Sequence, residues 1–465
     1  MPELTLAEIA QVTGGRLSEV ADPEARVTGP VAEDTRRLGP GGLFAAFEGE
    51  RVDGHDYAEA AVAAGAVAVL GRRPVGVPAV VVDDVQTALG ALARAVVRRL
   101  PDCTVIALTG SSGKTSTKDL LAQVLAAHGP TTATPGSRNN EIGLPITVLN
   151  AAPDTRHLVL EMGARGIGHI AYLTGLVPPT VGIVLNVGAA HMGEFGGKEA
   201  TARAKGELVE ALPSADLGGV AILNADDPLV AAMAARTRAS VLFFGRGEGT
   251  AVRAEDVRMD DAGRARFTLV TPEGAAPVEL GLYGEHHVSN ALAAAAAAHT
   301  AGMSTTAIAR ALTAARALSQ GRMQVTTRAD GVTIVNDAFN ANPDSARAAL
   351  RALAAMPGRR RVAVLGEMAE LGDTAPDQHE AVGAFAAQSG ADLVVAVGGT
   401  DAARLEQGAR SAGAATHLAP DVPAALLLLE EQLATGDIVL VKSSKASGLL
   451  KLAEALQDAD QAATD

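Results

Sequence analysis

The fold of this chain is decided by the stretch Thr104-Val105-Ile106-Ala107-Leu108-Thr109-Gly110-Ser111-Ser112-Gly113-Lys114-Thr115. Its first half is a continuous apolar run, which is typical of a strand buried on both faces of a parallel sheet. The glycines that follow let the backbone turn tightly. The next residues predict a helix, because apolar side chains recur at helical spacing at Leu120, Leu121, Val124 and Leu125. The sequence therefore predicts a strand, a glycine-rich loop and a helix in succession.

A loop of this kind can bind phosphate. Backbone N–H groups of the loop point at phosphate oxygens, and the helix N-terminus adds a partial positive charge. Lys114 would reach the β- and γ-phosphates, and Thr115 would offer its hydroxyl to Mg²⁺. The spacing G-x-x-G-K-T is shorter than the common G-x-x-x-x-G-K-[ST] form. An ordinary strand–helix turn therefore remains the alternative interpretation of the loop alone.

Composition narrows the class of protein. The 465 residues are 48% hydrophobic but only 2% aromatic, without Trp, so the core must consist of Ala, Val, Leu and Ile. A net charge of −14 argues against a nucleic-acid partner. The single cysteine, Cys103, fits a reducing cytoplasm. No signal peptide and no uninterrupted apolar run of membrane-spanning length is evident.

The chain divides into three predicted α/β domains with the bounds 1–100, 101–320 and 321–465. In the first, the strand-like runs 42–47, 66–70 and 79–82 precede a helical pattern at 85–100. The second alternates buried strands with helices, which predicts a parallel sheet like that of phosphate-loop ATPases, and an antiparallel section at 251–282. The third predicts a smaller Rossmann-like domain. Its buried strands are 361–366, 393–398 and 438–442.

Candidate metal ligands follow two strands of the middle domain, at the edge where open α/β sheets bind ligands. Glu161 ends the strand 158–160, and His191 lies just past the run 181–187. Each has an ordinary alternative, a solvated loop carboxylate and a hydrogen-bonded structural histidine. Lys205 by itself indicates a surface helix. Together with a phosphate loop, we favour metal ligation by Glu161 and His191.

At this point the residues resemble the Mur ligases. The resemblance is carried by Thr109 to Ser116 together with Glu161, Asn186, His191 and Lys205. Further on, Asn336-Asp337-Ala338-Phe339-Asn340-Ala341-Asn342-Pro343-Asp344-Ser345 resembles the signature D-x-[YF]-N-A-N-P-x-S. That signature belongs to the branch that joins D-alanyl-D-alanine to UDP-N-acetylmuramoyl-tripeptide. The segment from Val364 to Gly372, followed by His379, resembles a second motif of the same branch.

The resemblance implies an ATP-dependent carboxylate–amine ligase of peptidoglycan precursor synthesis, and thus a role in cell shape and division. It implies a cytoplasmic monomer that uses ATP and two Mg²⁺ ions, with Lys205 carbamylated. The implied catalytic residues are Lys114, Glu161, His191, Lys205 and Arg322. The implied metal ligands are Thr115, Glu161, His191 and Lys205. The implied ATP-binding residues are Gly110, Ser111, Ser112, Gly113, Lys114, Thr115, Ser116, Asn290, Arg322 and Asp337.

The same resemblance implies the two remaining substrate sites. The first domain would bind the UDP-muramyl substrate, and the last would bring D-alanyl-D-alanine. The implied substrate-binding residues are Thr35, Arg36, Asp53, His55, Asn139, Asn140, Asn340, Asn342, Lys442 and Ser444.

Some positions depart from the family pattern. His287 stands where the adenine segment has Asn, and Ser137-Arg138 precedes Asn139 in place of Gly-Asn-x. Lys445 stands for the Arg of the K-G-S-R motif, and it keeps the charge without the planar fork that binds a carboxylate through two bonds. None of these departures touches the phosphate and metal residues.

The implied reaction runs through an acyl-phosphate, with domain closure about a hinge near Leu318 to Gly321. Two kinds of alternative remain. One is another ligase of the superfamily, such as the enzyme that adds the third stem residue or a folyl-polyglutamate ligase. The other is a non-catalytic nucleotide-binding relative. The Asn-Ala-Asn-Pro segment argues against the first, and intact Lys114, Glu161, His191 and Lys205 argue against the second.

Overall fold

The computed structural model of the chain describes residues 3–49, 52–188 and 197–458. The predicted metal ligand His191 lies outside these ranges. Within them, the strands form three α/β sheets and one small strand pair. None of the described helices is long and apolar enough to cross a lipid bilayer.

The first sheet is built from residues before position 82. The order of its strands is β2-β7-β6-β5-β4, parallel except for the β2–β7 pair. The strands are β1 Leu4–Thr5, β2 Arg16–Ser18, β3 Arg26–Val27, β4 Val31–Ala32, β5 Gly42–Ala45, β6 Ala66–Gly71 and β7 Ala79–Val81. Strands β1 and β3 form the separate antiparallel pair. The predicted strands at 42–47, 66–70 and 79–82 are confirmed as β5, β6 and β7.

The second sheet has β8 near its centre and the order β16-β15-β14-β13-β12-β11-β8-β10-β9. It is parallel from β9 through β14, and β14, β15 and β16 form the predicted antiparallel section. The strands are β8 Thr104–Thr109, β9 Thr131–Ala133, β10 His157–Glu161, β11 Val181–Val184, β12 Val220–Asn224, β13 Ser240–Gly245, β14 Val252–Met259, β15 Arg264–Thr271 and β16 Gly274–Tyr283.

The third sheet has the order β17-β18-β22-β19-β20-β21 and is parallel except for β17. The strands are β17 Gln324–Thr327, β18 Thr333–Asn336, β19 Arg360–Gly366, β20 Leu393–Val397, β21 Ala415–Ala419 and β22 Asp437–Lys442. The three predicted Rossmann-like strands are confirmed as β19, β20 and β22.

Helices cover both faces of the sheets, as buried parallel strands require. The α-helices are Leu6–Thr13, Ala58–Ala63, Val85–Arg98, Lys114–Ala126, Gly143–Leu149, His169–Leu176, Lys198–Glu210, Pro228–Ala231, His286–Thr300, Thr305–Ala314, Pro343–Ala355, Ala375–Gln388, Thr400–Ser411, Val422–Gln432 and Leu449–Asp458. Short 3-10 segments are Thr35–Arg37, Gly54–Tyr57, Ala215–Leu217, Ala232–Arg236, Gly372–Thr374 and Lys445–Ser447.

The helix Lys114–Ala126 confirms the helix that was predicted after the glycine-rich loop. Its apolar side chains Leu120, Leu121, Val124 and Leu125 are buried in the core. The alanine-rich helix His286–Thr300 packs against it and is buried from Ala291 to Ala298. Small alanines let this helix approach the sheet closely, which suits a core without Trp. The phosphate loop is therefore held between the central strand and a rigid pair of helices.

Candidate active site

A cleft of about 1400 Å³ lies where the three sheets meet. The loop from β8 to the helix Lys114–Ala126 forms its floor, as expected for a ligand site at the carboxyl edge of a parallel sheet. The third sheet contributes the opposite wall. The predicted site residues in the lining are Ser111, Ser112, Gly113, Lys114, Thr115, Asn139, Asn140, Glu161, Lys205, Arg322, Asn340, Asn342 and Ser444.

The phosphate loop is fixed by a side chain from the neighbouring strand's end. The amide N–H groups of Ser111 and Ser112 both donate to Oδ1 of Asn186, at 3.0 and 2.9 Å. The Asn186 amide donates back to the Ser112 carbonyl at 3.1 Å. Gly113 has a φ of +77°, and a Cβ there would lie 2.6 Å from Oδ1 of Asn290. The loop conformation therefore requires glycine at this position.

Lys114 begins the helix, with its ammonium folded over the loop. Its Nζ donates to the Gly110 carbonyl at 2.8 Å. Burial lowers the pKa of Lys114, the carboxylate of Glu161 raises it again, and the charge of Arg322 lowers it. An anion in the loop would counter this burial further, because it adds opposite charge beside the ammonium. The position of Lys114 fits phosphate binding.

Glu161 ends β10 and is 1% exposed. Its Oε1 accepts a hydrogen bond from the Asn139 amide at 2.7 Å, whereas its Oε2 is buried without a hydrogen-bond partner among the residues that the structure describes. An unpartnered buried carboxylate oxygen is costly, and a divalent cation is the partner that such an oxygen prefers. Carboxylate and hydroxyl oxygens of Glu161 and Thr115 line the same cleft. The donor set therefore fits a magnesium ion.

Lys205 lies on the helix Lys198–Glu210 and is 2% exposed, although its sequence alone indicated a surface lysine. Burial lowers its pKa well below the ordinary 10.5, and the nearby charge of Lys114 lowers it further. Among the described residues, no acceptor forms a hydrogen bond with its Nζ. A buried neutral amine is nucleophilic. These features fit an amine that carries a carbamate.

Arg322 connects the third part of the chain to the phosphate loop. Its Nη2 donates to the Thr115 hydroxyl at 3.3 Å, and its guanidinium lies 4.4 Å from the ring centre of Phe339. Asn342 caps the helix Pro343–Ala355 by accepting from Ser345 N, and its amide reaches the Ser111 carbonyl at 3.5 Å. The third sheet is therefore already docked against the loop.

Asp337 and Lys442 form a buried ion pair at the ends of β18 and β22, with 2.5 Å between Nζ and Oδ2. Lys442 also donates to the Asn340 carbonyl at 3.1 Å. The other Asp337 oxygen accepts from Met323 N at 3.2 Å. The geometry shows that this pair holds the signature loop in place. ATP binding by Asp337 and substrate binding by Lys442 stay predictions.

Asn290 lies on the helix His286–Thr300 beside the phosphate loop, behind the cleft wall. Its amide nitrogen is 3.3 Å from Nδ1 of His287, and its Oδ1 faces Gly113. His287 is 2% exposed, and its Nε2 has no hydrogen-bond partner within the described part of the chain. Burial lowers the pKa of His287 well below the ordinary 6.5. A small second cleft is lined by His287 and by the predicted ATP-binding residue Ser116.

The predicted uridine-binding residues of the first domain lie away from the central cleft. Asp34 accepts from the guanidinium of Arg36, and the Arg36 side chain is exposed. His55 is buried, with Nδ1 at 2.7 Å from Asp53 and Nε2 accepting from Arg72 N at 2.9 Å. Both nitrogens of His55 thus stabilise a turn. Substrate binding by Thr35, Arg36, Asp53 and His55 stays a prediction.

Cleft residues that sequence patterns did not single out include Arg37, Arg165, His169 and Tyr172, whereas Glu370 belongs to the second motif of the sequence analysis. Two contacts join the first domain to the middle one here. Arg138 pairs with Glu33 at 2.6 Å, and Gln86 donates to the Tyr172 hydroxyl at 3.1 Å. Residues so far apart in the sequence leave no signal from which their pairing could be predicted. Asn186, by contrast, belongs to the segment at the end of the predicted strand.

The three regions of the chain match family models in order. Residues 31–109 match "Mur ligase family, catalytic domain", residues 108–298 match "Mur ligase middle domain", and residues 321–445 match "Mur ligase, glutamate ligase domain". The chain belongs to the Mur ligase family. Its phosphate loop, the buried Glu161 and Lys205 lie within the middle-domain match.

Relatives that align over nearly their full length belong to one branch of this family. A UDP-N-acetylmuramoyl-tripeptide–D-alanyl-D-alanine ligase of Mycobacterium tuberculosis is 48% identical over 98% of each chain. The ligase of the same name from Escherichia coli is 37% identical over 98% of this chain and 99% of its own. A crystal structure of MurF from Acinetobacter baumannii has a TM-score of 0.87 and 33% identity, covering 98% of this chain and 99% of its own.

A structure with nucleotide is also similar. MurF ligase from Thermotoga maritima in complex with ADP has a TM-score of 0.80 at 28% identity, covering 94% of this chain and 99% of its own. The three-domain α/β fold predicted from the sequence is therefore confirmed.

Proposed function

We propose that this chain is the ligase that joins D-alanyl-D-alanine to UDP-N-acetylmuramoyl-tripeptide at the expense of ATP, giving the pentapeptide precursor of peptidoglycan. The observation that carries the proposal is the cleft in which Lys114, Glu161 and Lys205 face the Asn-Ala-Asn-Pro loop of the third domain. Relatives that bear this activity in their names align with nearly the whole chain. We propose the ranges 1–100, 101–320 and 321–465 as domains for the three substrates.

In the first step, the terminal carboxylate of the tripeptide attacks the γ-phosphorus of ATP. The acyl-phosphate forms as the bond from that phosphorus to the ADP oxygen breaks. Lys114 and Arg322 lie where they can neutralise charge on the phosphates in transit. No protein nucleophile is required, so the chain acts by positioning its substrates and by electrostatic stabilisation.

Two Mg²⁺ ions would neutralise the phosphate oxygens when bound. We assign Thr115, Glu161 and a carbamylated Lys205 as their ligands, with His191 as a further ligand predicted from the sequence. The unpartnered Oε2 of Glu161 and the lowered pKa of Lys205 support this assignment. We further propose that the enzyme is a cytoplasmic monomer.

In the second step, the amine of D-alanyl-D-alanine attacks the acyl carbon, and phosphate leaves from a tetrahedral intermediate. Water must be excluded until the amine arrives, because the acyl-phosphate would otherwise hydrolyse. The docked contacts of Arg322 with Thr115 and of Asn342 with Ser111 close the cleft from the side of the third domain. Arg322 and Asn342 thus connect dipeptide recruitment to ATP binding.

The test is phosphate release from ATP and Mg²⁺ with UDP-N-acetylmuramoyl-tripeptide, measured with and without D-alanyl-D-alanine. The proposal expects release that needs both substrates, and a pentapeptide product by mass. Release that responds to another amine but not to the dipeptide would refute the assigned acceptor. ATP binding without any release would favour a non-catalytic relative.

A further inference from the structure

The loop after β19 presents one carboxylate to the cleft from the third domain. Met368 and Leu371 are buried, whereas Ala369 and Glu370 between them are exposed and line the cleft. The loop is fixed by His379, which is fully buried. The Nε2 of His379 accepts from Met368 N at 2.8 Å, so its Nδ1 carries the proton and donates to a carbonyl one helical turn away. Glu370 is therefore held out on a rigid loop.

Glu370 also has an unusual backbone conformation. Its φ is +66°, in the left-handed region that residues with a Cβ rarely adopt. Backbone strain at a non-glycine residue costs about 1–3 kcal/mol and is found most often where function requires it. A glycine would relieve the strain, but it would lack the carboxylate. Glu370 adopts this conformation four residues beyond the end of β19, in the part of the loop that lines the cleft.

A cation lies on the neighbouring loop of the same wall. Ser444 N and the Ser447 hydroxyl both donate to the Glu367 carbonyl at 3.1 Å, which joins the loop after β22 to the loop after β19. Lys445 on this joined loop is exposed to the cleft, with its Nζ 5.9 Å from the ring centre of Phe339. One wall of the cleft thus carries a carboxylate and an ammonium on adjacent loops.

The carboxylate is also close to the phosphate loop. Glu370 and Lys114 line the same cleft, and the charge of Glu370 raises the pKa of Lys114. The carboxylate thus shares the cleft with the loop where the γ-phosphate and the acyl carbon would lie. The reaction needs a proton acceptor there. An amine with an ordinary pKa is protonated at neutral pH, and an ammonium has no lone pair with which to attack.

We propose that Glu370 binds the ammonium group of the acceptor dipeptide and removes its proton, while Lys445 binds the dipeptide carboxylate. The inference rests on the proposed function and deepens it. A zwitterionic dipeptide is complementary to this wall, whereas an acceptor without the terminal carboxylate would leave Lys445 unpaired. The two charges therefore determine both the orientation and the class of the acceptor.

Protons and electron pairs are conserved in this step. Glu370 takes one proton from the ammonium, and the nitrogen lone pair forms the new C–N bond at the acyl carbon. The tetrahedral intermediate collapses by breaking the bond between that carbon and the phosphate oxygen, which leaves with the electron pair. The second nitrogen proton goes to the departing phosphate, and Glu370 returns its proton to solvent.

The test compares the wild-type enzyme with Glu370→Gln, using two acceptors. Hydroxylamine is unprotonated at neutral pH and traps the acyl-phosphate as a hydroxamate, so it needs no proton acceptor. We expect Glu370→Gln to keep hydroxamate formation within about twofold but to lose about 10²–10⁴-fold in kcat/KM for D-alanyl-D-alanine. The loss should shrink as pH rises, because solvent then deprotonates the amine. The matched control is Glu380→Gln, on the outer helix where Glu380 pairs with Arg404 at 3.5 Å.

A second variant tests the other charge. Lys445→Gln should raise the KM for D-alanyl-D-alanine about tenfold or more while leaving the reaction with the dipeptide amide unchanged, since the amide has no carboxylate for Lys445 to bind. An equal rise in KM for the dipeptide and for its amide would contradict the assignment of Lys445.

The outcomes distinguish a wrong acceptor from a wrong role for Glu370. If the wild-type enzyme forms hydroxamate but no product with the dipeptide, the proposed acceptor is wrong and the inference fails with it. If the wild-type enzyme uses the dipeptide and Glu370→Gln is equally fast, or loses hydroxamate formation to the same extent, only the inference is refuted.

Discussion

Lys205 is the residue through which the proposed carbamate would make activity depend on dissolved carbon dioxide. Burial lowers the pKa of its amine well below the ordinary 10.5, which favours the neutral form, and only a neutral amine forms a carbamate. We expect Lys205→Arg to lower phosphate release about 10²–10³-fold, comparable to the loss of a charge-stabilising group. Removal of bicarbonate should lower wild-type activity, and its return should restore it.

The measurement is coupled phosphate release, with the carbamate identified by its mass in the native protein. Lys198→Arg serves as the control, because Lys198 is exposed at the start of the same helix. Full activity of Lys205→Arg, or indifference of the wild-type enzyme to bicarbonate, would contradict the carbamate.

The free energy of unfolding should depend on pH through His287, because the pKa of this residue differs between the folded and the unfolded chain. The folded chain holds the pKa of His287 well below 6.5, whereas the unfolded chain binds a proton near 6.5. Acid therefore favours the unfolded state, and the free energy of unfolding should fall as pH drops below 6.5. His287→Asn should remove up to about 1.4 kcal/mol of this loss per pH unit.

Urea unfolding at a series of pH values measures this effect. His417→Asn is the control, because His417 is exposed. An unchanged acid dependence in His287→Asn would show that His287 is not protonated on unfolding in this range.

The sequence predicted residue roles unevenly. Lys114 was predicted from the loop motif, Glu161 from its place at a strand end and Lys205 from the family resemblance alone. The structure brings the three residues into one cleft. The partners of Asn186 and Arg138 could not be predicted, because a hydrogen bond between distant residues leaves no local pattern. Burial of Lys205 was equally invisible, since its neighbours are typical of an exposed helix.

At the scale of elements, two glycines allow the helices Ala375–Gln388 and Thr400–Ser411 to touch along their backbones. A Cβ at Gly383 would lie 1.9 Å from the Leu405 carbonyl, and a Cβ at Gly408 would lie 2.0 Å from the Glu380 carbonyl. Backbone cannot yield as a side chain can. We expect Gly383→Ala to destabilise the protein by about 1–3 kcal/mol through overpacking.

Thermal unfolding checks this value against Gly175→Ala. Gly175 lies within the helix His169–Leu176 and would place its Cβ in open space, so alanine there should be neutral or stabilise by about 1 kcal/mol. Equal effects of the two substitutions would refute the close contact.

Apolar runs predicted the long buried strands well, but their ends less well. The run 181–187 was predicted as one strand, whereas β11 stops at Val184. Beyond it the chain leaves the sheet toward the cleft, where Asn186 fixes the phosphate loop. The short strand β9 was missed because its residues are only half-buried and lack an apolar pattern. Strand order in the sheets depends on contacts that no run of residues records.

In the whole molecule, the third domain is docked on the phosphate loop, and the linker between the middle and third domains is exposed to solvent. Leu318 in this linker is 61% exposed, although it is apolar. We expect ATP with UDP-N-acetylmuramoyl-tripeptide to slow proteolysis near Leu318 to Gly321, because both ligands would stabilise the docked arrangement and reduce the motion of the linker. Arg322→Ala should weaken this protection.

Cleavage rates followed by mass spectrometry provide the measurement, with a loop far from the cleft as internal reference. Cleavage that is indifferent to both ligands would count against closure about this hinge. The sequence predicted three blocks, because each has its own run of strands. It could not predict their docking, which depends on single contacts such as that of Arg322 with Thr115.

Phe339 lies between two cations, with Arg322 at 4.4 Å and Lys445 at 5.9 Å from its ring centre. The chain contains no Trp. Phe339→Trp would therefore install a solitary indole where the three substrates converge, and its emission would report on the charges around it without any background. This ring lies between the arginine proposed to bind the nucleotide and the lysine proposed to bind the acceptor, so it is a suitable place for an optical probe of turnover.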